Sequence, residues 1–514
     1  MKTRIFLPYL ILLIIIASGC GSNPPHPYQP LNETILTPKP PATPRINGPS
    51  VYGVRPGSPF IYRIPCTGDR PIHFQAINLP AGLTLNGSTG IITGRLETSG
   101  KYMLQIEAKN TSGGDSREFT IVAGDTLALT PPMGWNSWYI HYDRISDSLM
   151  RQAADQMIET GMADFGYQYV NIDDCWMVKV NPGDPDGDSK TRSEDGKLLT
   201  NEKFPDMYAL TEYIHGKGLK AGTYISPGPT TCAGYAGSYG HEHQDAETFA
   251  EWGFDFLKYD WCSYGRLADP VSTEDYIKPY RQMWQFLRSL DRDIVLNLCQ
   301  YGMGDVWTWG GEVGNCWRTT GDLGLEENRE LPGFYYIGLS NAQHWQYARP
   351  GSWNDPDYIL IGWVGDANRM LTGASTLLTP DEQYSYMSMW SLMAAPLIFS
   401  GDMGRLDEFT LNVLCNHEVI SVIQDPLGKQ ARILRQSEKD LVLVKEMVDG
   451  SYAVGIFNLE KVPSILNIHW EEMGIKGKWK LRDLWRQKDI GEYRDSFSAS
   501  IMPHGVVMVS LKNN

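Results

Sequence analysis

The chain has 514 residues, 42% hydrophobic and 20% charged, with a formal net charge of −15. Such acidity excludes a nucleic-acid binder, because phosphates demand a basic face. The length allows roughly three domains at about 150 residues each, and the tryptophans (16) and tyrosines (27) suit sugar-stacking surfaces as well as ordinary cores.

The N-terminus reads as a targeting segment to be left out of the fold. Lys2 and Arg4 precede an apolar run from Phe6 to Ile16, and Ala17, Ser18 and Gly19 lead into Cys20. The stretch ASGC resembles the lipobox of bacterial lipoproteins. That resemblance implies removal of residues 1–19, acylation of Cys20 and a lipid-anchored place in a bacterial cell envelope, on its periplasmic or outer-membrane side. No membrane-spanning stretch follows residue 20. Residues 20–49 are proline-rich and poor in bulky apolar side chains, the composition of an extended spacer. Export permits disulfides. Besides Cys20 there are seven cysteines, an odd number, and no CxxC pair, which disfavours a cysteine-zinc site.

Residues 50–124 hold short strand-like runs (FIYRI, IHFQAI, GIITGRL, KYMLQIEAKN, REFTIVAG) separated by turn signals such as NGSTG. They predict a small β-sandwich similar to bacterial immunoglobulin-like modules. Over residues 126–420 the pattern alternates. A helix is expected from Ser146-Asp147, stopping at Gly161, before the strand YQYVNIDD. Another from Pro205 to about His215 precedes LKAGTYI, and DAETFAEWG precedes FDFLKYD. YRQMWQFLRSL then leads into DIVLNLCQ. Helix and strand at this spacing imply parallel strands with right-handed crossovers, and the length suits a (β/α)8 barrel. Residues 421–514 read as a C-terminal antiparallel β-domain. No glycine-rich phosphate loop follows a strand, so nucleotide binding has no support.

The chemistry gathers where apolar strands stop, the end of a barrel that carries active sites. Asp173 and Asp174 end one strand, Tyr224 another, Lys258 and Asp260 a third, and Gln300 a fourth. Arg318 and Asp322 follow in CWRTTGD, and Asp355 and Asp357 in SWNDPD. Buried charges cost several kcal/mol unless paired or used. An aspartate-rich, tryptophan-lined cleft without a histidine cluster points to carbohydrate chemistry, in which two carboxylates divide the work.

The motifs TPPMGWNSW, NIDDCW, GLKAGTY, FDFLKYDWC, CWRTTGD, SWNDPD and VIQDPLGK fall in the order and spacing of glycoside hydrolase family 27, the α-galactosidases and α-N-acetylgalactosaminidases. The resemblance covers roughly residues 126–514. It implies a retaining (β/α)8 hydrolase with a C-terminal β-sandwich and no metal or cofactor, acting on an α-galactoside-containing oligo- or polysaccharide. By motif matching, Asp260 becomes the nucleophile and Asp322 the acid/base. Trp138, Asp173, Asp174, Tyr224, Lys258, Arg318 and Asp357 hold the terminal sugar, with Gln300 at its C2 side. Lys258 is expected to keep Asp260 ionised. The resemblance also implies disulfides Cys232–Cys262 and Cys299–Cys316. Gln300 and Tyr301 stand where the family's α-galactosidases have glutamate and tryptophan.

Alternatives within the family are an α-N-acetylgalactosaminidase, a β-L-arabinopyranosidase or an isomaltodextranase. Outside it stands a sugar-binding lipoprotein with a dead barrel, disfavoured because both carboxylates are present. Asp184, Asp186, Asp188 and Asp195 mimic positions of a calcium loop, but Ser189 takes the place of its glycine and position 12 is not glutamate. A solvated loop is expected there.

Overall fold

The structure, a computed structural model, describes residues 27–513 apart from Asn32, 181–189, 268–271, 324–329 and 366–372. Cys20 and the aspartates at 184, 186 and 188 therefore lie outside the described residues. Among the described residues no helix is long and apolar enough to cross a membrane.

The centre is the expected barrel. Its strands are β1 (Met133–Asn136), β2 (Tyr169–Asn171), β3 (Lys220–Ile225), β4 (Phe256–Asp260), β5 (Val295–Cys299), β6 (Cys316–Arg318), β7 (Trp353–Asp355) and β8 (Leu397–Phe399). Each lies parallel beside its sequence neighbour from β1 to β7, and β8 lies beside β1. The chain just after β7 closes the circle, with Ile359 N donating to Ile398 O (2.7 Å) and Ser400 N to Ile359 O (3.0 Å). The helices between strands start and stop as their sequences direct. Ser146 caps Asp147–Glu159 by accepting from Leu149 N, and Asp206 caps Met207–His215 by accepting from Ala209 N. Gly253, at φ +91°, ends Glu242–Trp252 in the left-handed region that glycine enters without strain.

Strand β4 shows why a core strand can finish in charge. All five of its residues are buried. Alternation sends Leu257 and Tyr259 outward to the helices and Phe256, Lys258 and Asp260 inward. Phe256 belongs to an apolar layer with Leu127, Tyr169 and Val295 at the barrel floor. The interior therefore changes from apolar at the floor to charged at the mouth.

A β-sandwich covers the floor. Its four-stranded sheet holds Val51–Val54, Gly113–Ala123, Gly100–Asn110 and His73–Ile77, and its three-stranded sheet Pro59–Arg63, Ile91–Arg95 and Leu83–Asn86. Phe60, Tyr62, Phe74, Ile106 and Phe119 fill the space between. Arg55 plugs this module into the barrel. Its Nε donates to Asp293 at 2.6 Å, and its remaining guanidinium donors reach the carbonyls of Arg288, Leu290 and Arg292. Access to the barrel is left to its opposite end.

At the C-terminus a six-stranded antiparallel sheet packs against the pair Ser464–His469 and Ser496–Ile501 around Val454, Ile456, Trp470 and Phe497. The helix Pro380–Leu392 is buried between this domain and the barrel.

Two expectations need correction. The proline-rich stretch does not run as a free spacer once it reaches Tyr28. Tyr28 adds to the edge of Ser496–Ile501, donating through N to Ser498 O (2.8 Å) and accepting through O from Ser500 N (2.9 Å). Further on, Leu36 and Thr37 are bound by Asn412. The Cys299–Cys316 disulfide is likewise absent, since both cysteines are free and buried. Register is the reason: Cys316 lies across from Asn297, two residues short of Cys299. That offset adds roughly 6.6 Å along the strands to about 4.8 Å between them, more than a disulfide spans.

Candidate active site

Strands β2 to β4 bring the first group together. Asp173, just past β2, gathers three donors on one oxygen: Lys258 Nζ at 2.8 Å, Asn136 Nδ2 at 3.0 Å and the Tyr358 hydroxyl at 3.1 Å. Burial disfavours the Lys258 charge, but the Asp173 carboxylate beside it outweighs this and holds its pKa above the usual lysine value. The rings of Tyr224, Tyr358 and Trp138 surround the ammonium at 5.1, 5.3 and 5.9 Å. Asp174 accepts from Cys175 N and Ala233 N, and burial pushes its carboxyl up to about 7.

Asp260 ends β4 with each oxygen held by a tyrosine. Tyr301 donates to Oδ1 at 2.6 Å and Tyr224 to Oδ2 at 3.1 Å. Lys258, expected to favour the ionised form of Asp260, bonds directly to Asp173 and acts on Asp260 through its field. Burial raises the Asp260 pKa, Lys258 and the Tyr301 hydrogen bond oppose the rise, and the balance stays above the ordinary value. The disulfide Cys232–Cys262 forms, with Cα atoms 5.0 Å apart. It ties the loop after β3 to the end of β4, and its Cys262 sulfur lies 3.2 Å from the Tyr224 hydroxyl.

Beyond β6, Arg318 is buried and reaches both Asp322 Oδ1 and Asp357 Oδ2 at 3.2 Å. It also donates to the Gly321 carbonyl, so it shapes the turn that presents Asp322. The Asp322 side chain is 60% exposed and open to solvent. Asp357 accepts from the Tyr139 hydroxyl (2.8 Å) and Leu323 N (2.9 Å). Its backbone carbonyl takes the Trp390 indole from the buried helix. Burial raises its carboxyl to about 6, against the pull of Arg318.

Several polar atoms in this ring are buried without a partner: both amide atoms of Gln300, Arg318 Nε, Thr320 Oγ1 and Asp357 Oδ1. Buried polar groups are ordinarily satisfied. All of them lie on residues that follow or end strands β5, β6 and β7. Asp260, Asp322 and the residues expected to hold the sugar fall in this region, whereas Cys316 packs with Ala348, Trp353 and Ala394. Asn136, Tyr139, Tyr358 and the Tyr301 hydroxyl were missed. They arrive from other strands and loops, and only Asn136, within the first motif, and Tyr139, directly after it, carried a signal.

A (β/α)8 barrel with Asp260 and Asp322 at its mouth has the arrangement of a glycoside hydrolase. The comparisons agree. The family model "Alpha galactosidase A" matches residues 130–425, its "C-terminal beta sandwich domain" matches 441–511, and an Ig-domain model matches 43–124. The chain belongs to this α-galactosidase family. It is 35% identical to alpha-galactosidase 2 of Arabidopsis thaliana over 401 residues, 77% of this chain and 93% of that protein. An α-galactosidase/melibiase-type protein of Bacteroides fragilis superposes with a TM-score of 0.84 at 35% identity, covering 93% of this chain and 99% of that one. Alpha-galactosidase I of Mortierella vinacea superposes at 0.69 with 27% identity, over 76% and 99%.

Proposed function

We propose that the protein is a retaining exo-hydrolase that releases terminal α-linked galactose from oligo- or polysaccharides. Asp260 attacks the anomeric carbon, and Asp322 protonates the departing oxygen and then deprotonates water. The observation that carries this reading is the pair of carboxylates at the barrel mouth, Asp260 held by Tyr224 and Tyr301 and Asp322 presented by Arg318. A galactosyl unit would supply hydroxyls to Gln300, Arg318 and Asp357, while the half-buried Trp138 offers an apolar ring face. Gln300 fills the space beside the sugar's C2, which favours galactose over N-acetylgalactosamine and can donate to or accept from the 2-hydroxyl.

The test is a panel of aryl α-galactoside, α-N-acetylgalactosaminide, β-L-arabinopyranoside and α-glucoside substrates, with product anomers followed at early times. α-Galactoside should be fastest and its product retained. Inverted product, or faster cleavage of another sugar, refutes the assignment. Asp260→Asn should be inactive, and Asp322→Ala should spare good leaving groups more than poor ones.

The chain's first twenty residues support a second proposal, that the enzyme acts in a bacterial envelope, lipid-anchored through Cys20. Cys20→Ala should leave the membrane fraction, and unchanged fractionation would refute the anchor.

A further inference from the structure

Tyr301 carries a hydroxyl that the reaction described above leaves without a task. The residue directly follows Gln300 beyond β5. Its backbone sits at φ +64°, a conformation costly for a bulky side chain and held only where the surroundings impose it. Gly302 continues the bend at φ +84°. The result is a half-buried ring whose hydroxyl points at the nucleophile. It lies 2.6 Å from Asp260 Oδ1, whereas the Tyr224 hydroxyl holds Oδ2 at the longer 3.1 Å. Its other polar neighbour is the Cys232 sulfur at 3.6 Å. Where the sequence resemblance has a tryptophan, this chain places a phenol.

We infer that Tyr301 is a positioning residue for the nucleophile, fixing Oδ1 as the oxygen that becomes the ester carbonyl and leaving Oδ2 to attack. The inference rests on the roles proposed for Asp260 and Asp322. Oδ2 gives an electron pair to the anomeric carbon. The bond from that carbon to the departing alcohol breaks onto the alcohol oxygen, which takes the proton of Asp322. Tyr224 then lets go of Oδ2, while the Tyr301 bond to Oδ1 persists as a neutral one. In the second half Asp322 takes a proton from water, that water attacks the anomeric carbon, and the ester bond breaks back onto Oδ2. The charge that Tyr301 and Tyr224 stabilise is thereby restored.

The groups around this pair are Asp173 beyond β2, Tyr224 on β3, Lys258 on β4, Cys299 on β5 and Asp322 beyond β6. None changes when the Tyr301 hydroxyl alone is removed. Burial and the acidic neighbours raise the Asp260 pKa and this hydrogen bond lowers it, so removal must raise it further.

The experiment is the pH profile of kcat/KM for Tyr301→Phe in the full chain, on an aryl α-galactoside. Its acid limb should move upward by about one pH unit, the size of a hydrogen bond to a charged acceptor, and kcat should fall with it. If Tyr301→Phe unfolds early, 3,5-difluorotyrosine at position 301 keeps the shape and strengthens the donor, and the acid limb should then move downward. Acid limbs that stay in place, or move in the opposite directions, overturn the inference. Asp260→Asn separates the two layers of the argument. If that variant stays active, the nucleophile assignment falls. If it is dead while the Tyr301 variants leave the limb unmoved, only the positioning role falls.

Discussion

Gln300 offers the sharpest test of sugar recognition, because its side chain is fully buried with both amide atoms unpaired. An amide left unsatisfied costs about 1–3 kcal/mol, so a substrate hydroxyl that completes it recovers part of this on binding. A 2-deoxy-α-galactoside, which cannot, should lose about 1–2 kcal/mol, or roughly 5- to 30-fold in kcat/KM. In Gln300→Ala the amide is gone, and this discrimination should collapse toward unity. The vacated space should also admit an acetamido group, so α-N-acetylgalactosaminide cleavage, negligible in the parent, should become measurable. Gln300→Glu should instead improve α-galactoside cleavage by about 1 kcal/mol, roughly fivefold, as the bond becomes charge-assisted. The assay is kcat/KM for the three aryl glycosides on the parent and both variants. A parent indifferent to the 2-hydroxyl, or an alanine variant that still discriminates, refutes the reasoning.

Asp174 titrates high in the fold because burial disfavours its charge, so its stabilising share is complete below about pH 4 and is lost as pH rises toward 7. The melting temperature of Asp174→Asn relative to the parent should therefore climb across that window, and a constant difference would contradict it. Alkylation of the unfolded, unreduced protein followed by peptide mass analysis should label Cys299 and Cys316 and spare Cys232 and Cys262. Reducing that bridge, whose cysteines are 30 residues apart, should cost about 3–4 kcal/mol. Arg55→Ala leaves Asp293 without its guanidinium partner and should lower stability by about 3 kcal/mol. Melting would show this, with kcat nearly unchanged because the plug is at the barrel floor.

The barrel and its mouth were legible because a buried parallel strand is apolar throughout and a functional side chain must interrupt it. Lys258 and Asp260 stand out in FDFLKYD for that reason. Motif matching then placed Arg318 and Asp322 four residues apart, and the structure bridges them at 3.2 Å. Pairing across strands was not legible. Cys299 abuts the site beside Arg318, yet a two-residue register offset keeps Cys316 away from it, and a single sequence carries no register. Nor was the partner of Lys258. Two carboxylates compete for one ammonium, and the choice of Asp173 depends on how far β2 reaches beside β3, the strand that separates it from β4. The Tyr301 hydroxyl escaped for a third reason: its aim depends on a left-handed backbone that nothing in the residue type announces.

The strap at Tyr28 also has a meaning for how the chain assembles. Its backbone bonds are made to Ser498 and Ser500 and its hydroxyl bond to Asp483, so the beginning of the described chain completes a strand pair near the end. The entropy of closing so long a loop grows only logarithmically with its length, so the native state bears a modest cost. The order of events is more strongly constrained. During synthesis the strap has no partner until the strand Ser496–Ile501 exists, and it must wait while the module, the barrel and the C-terminal sandwich form. A chain cut short before that strand would therefore release its opposite end, making the strap a check, built into the fold, that the next-to-last strand has arrived.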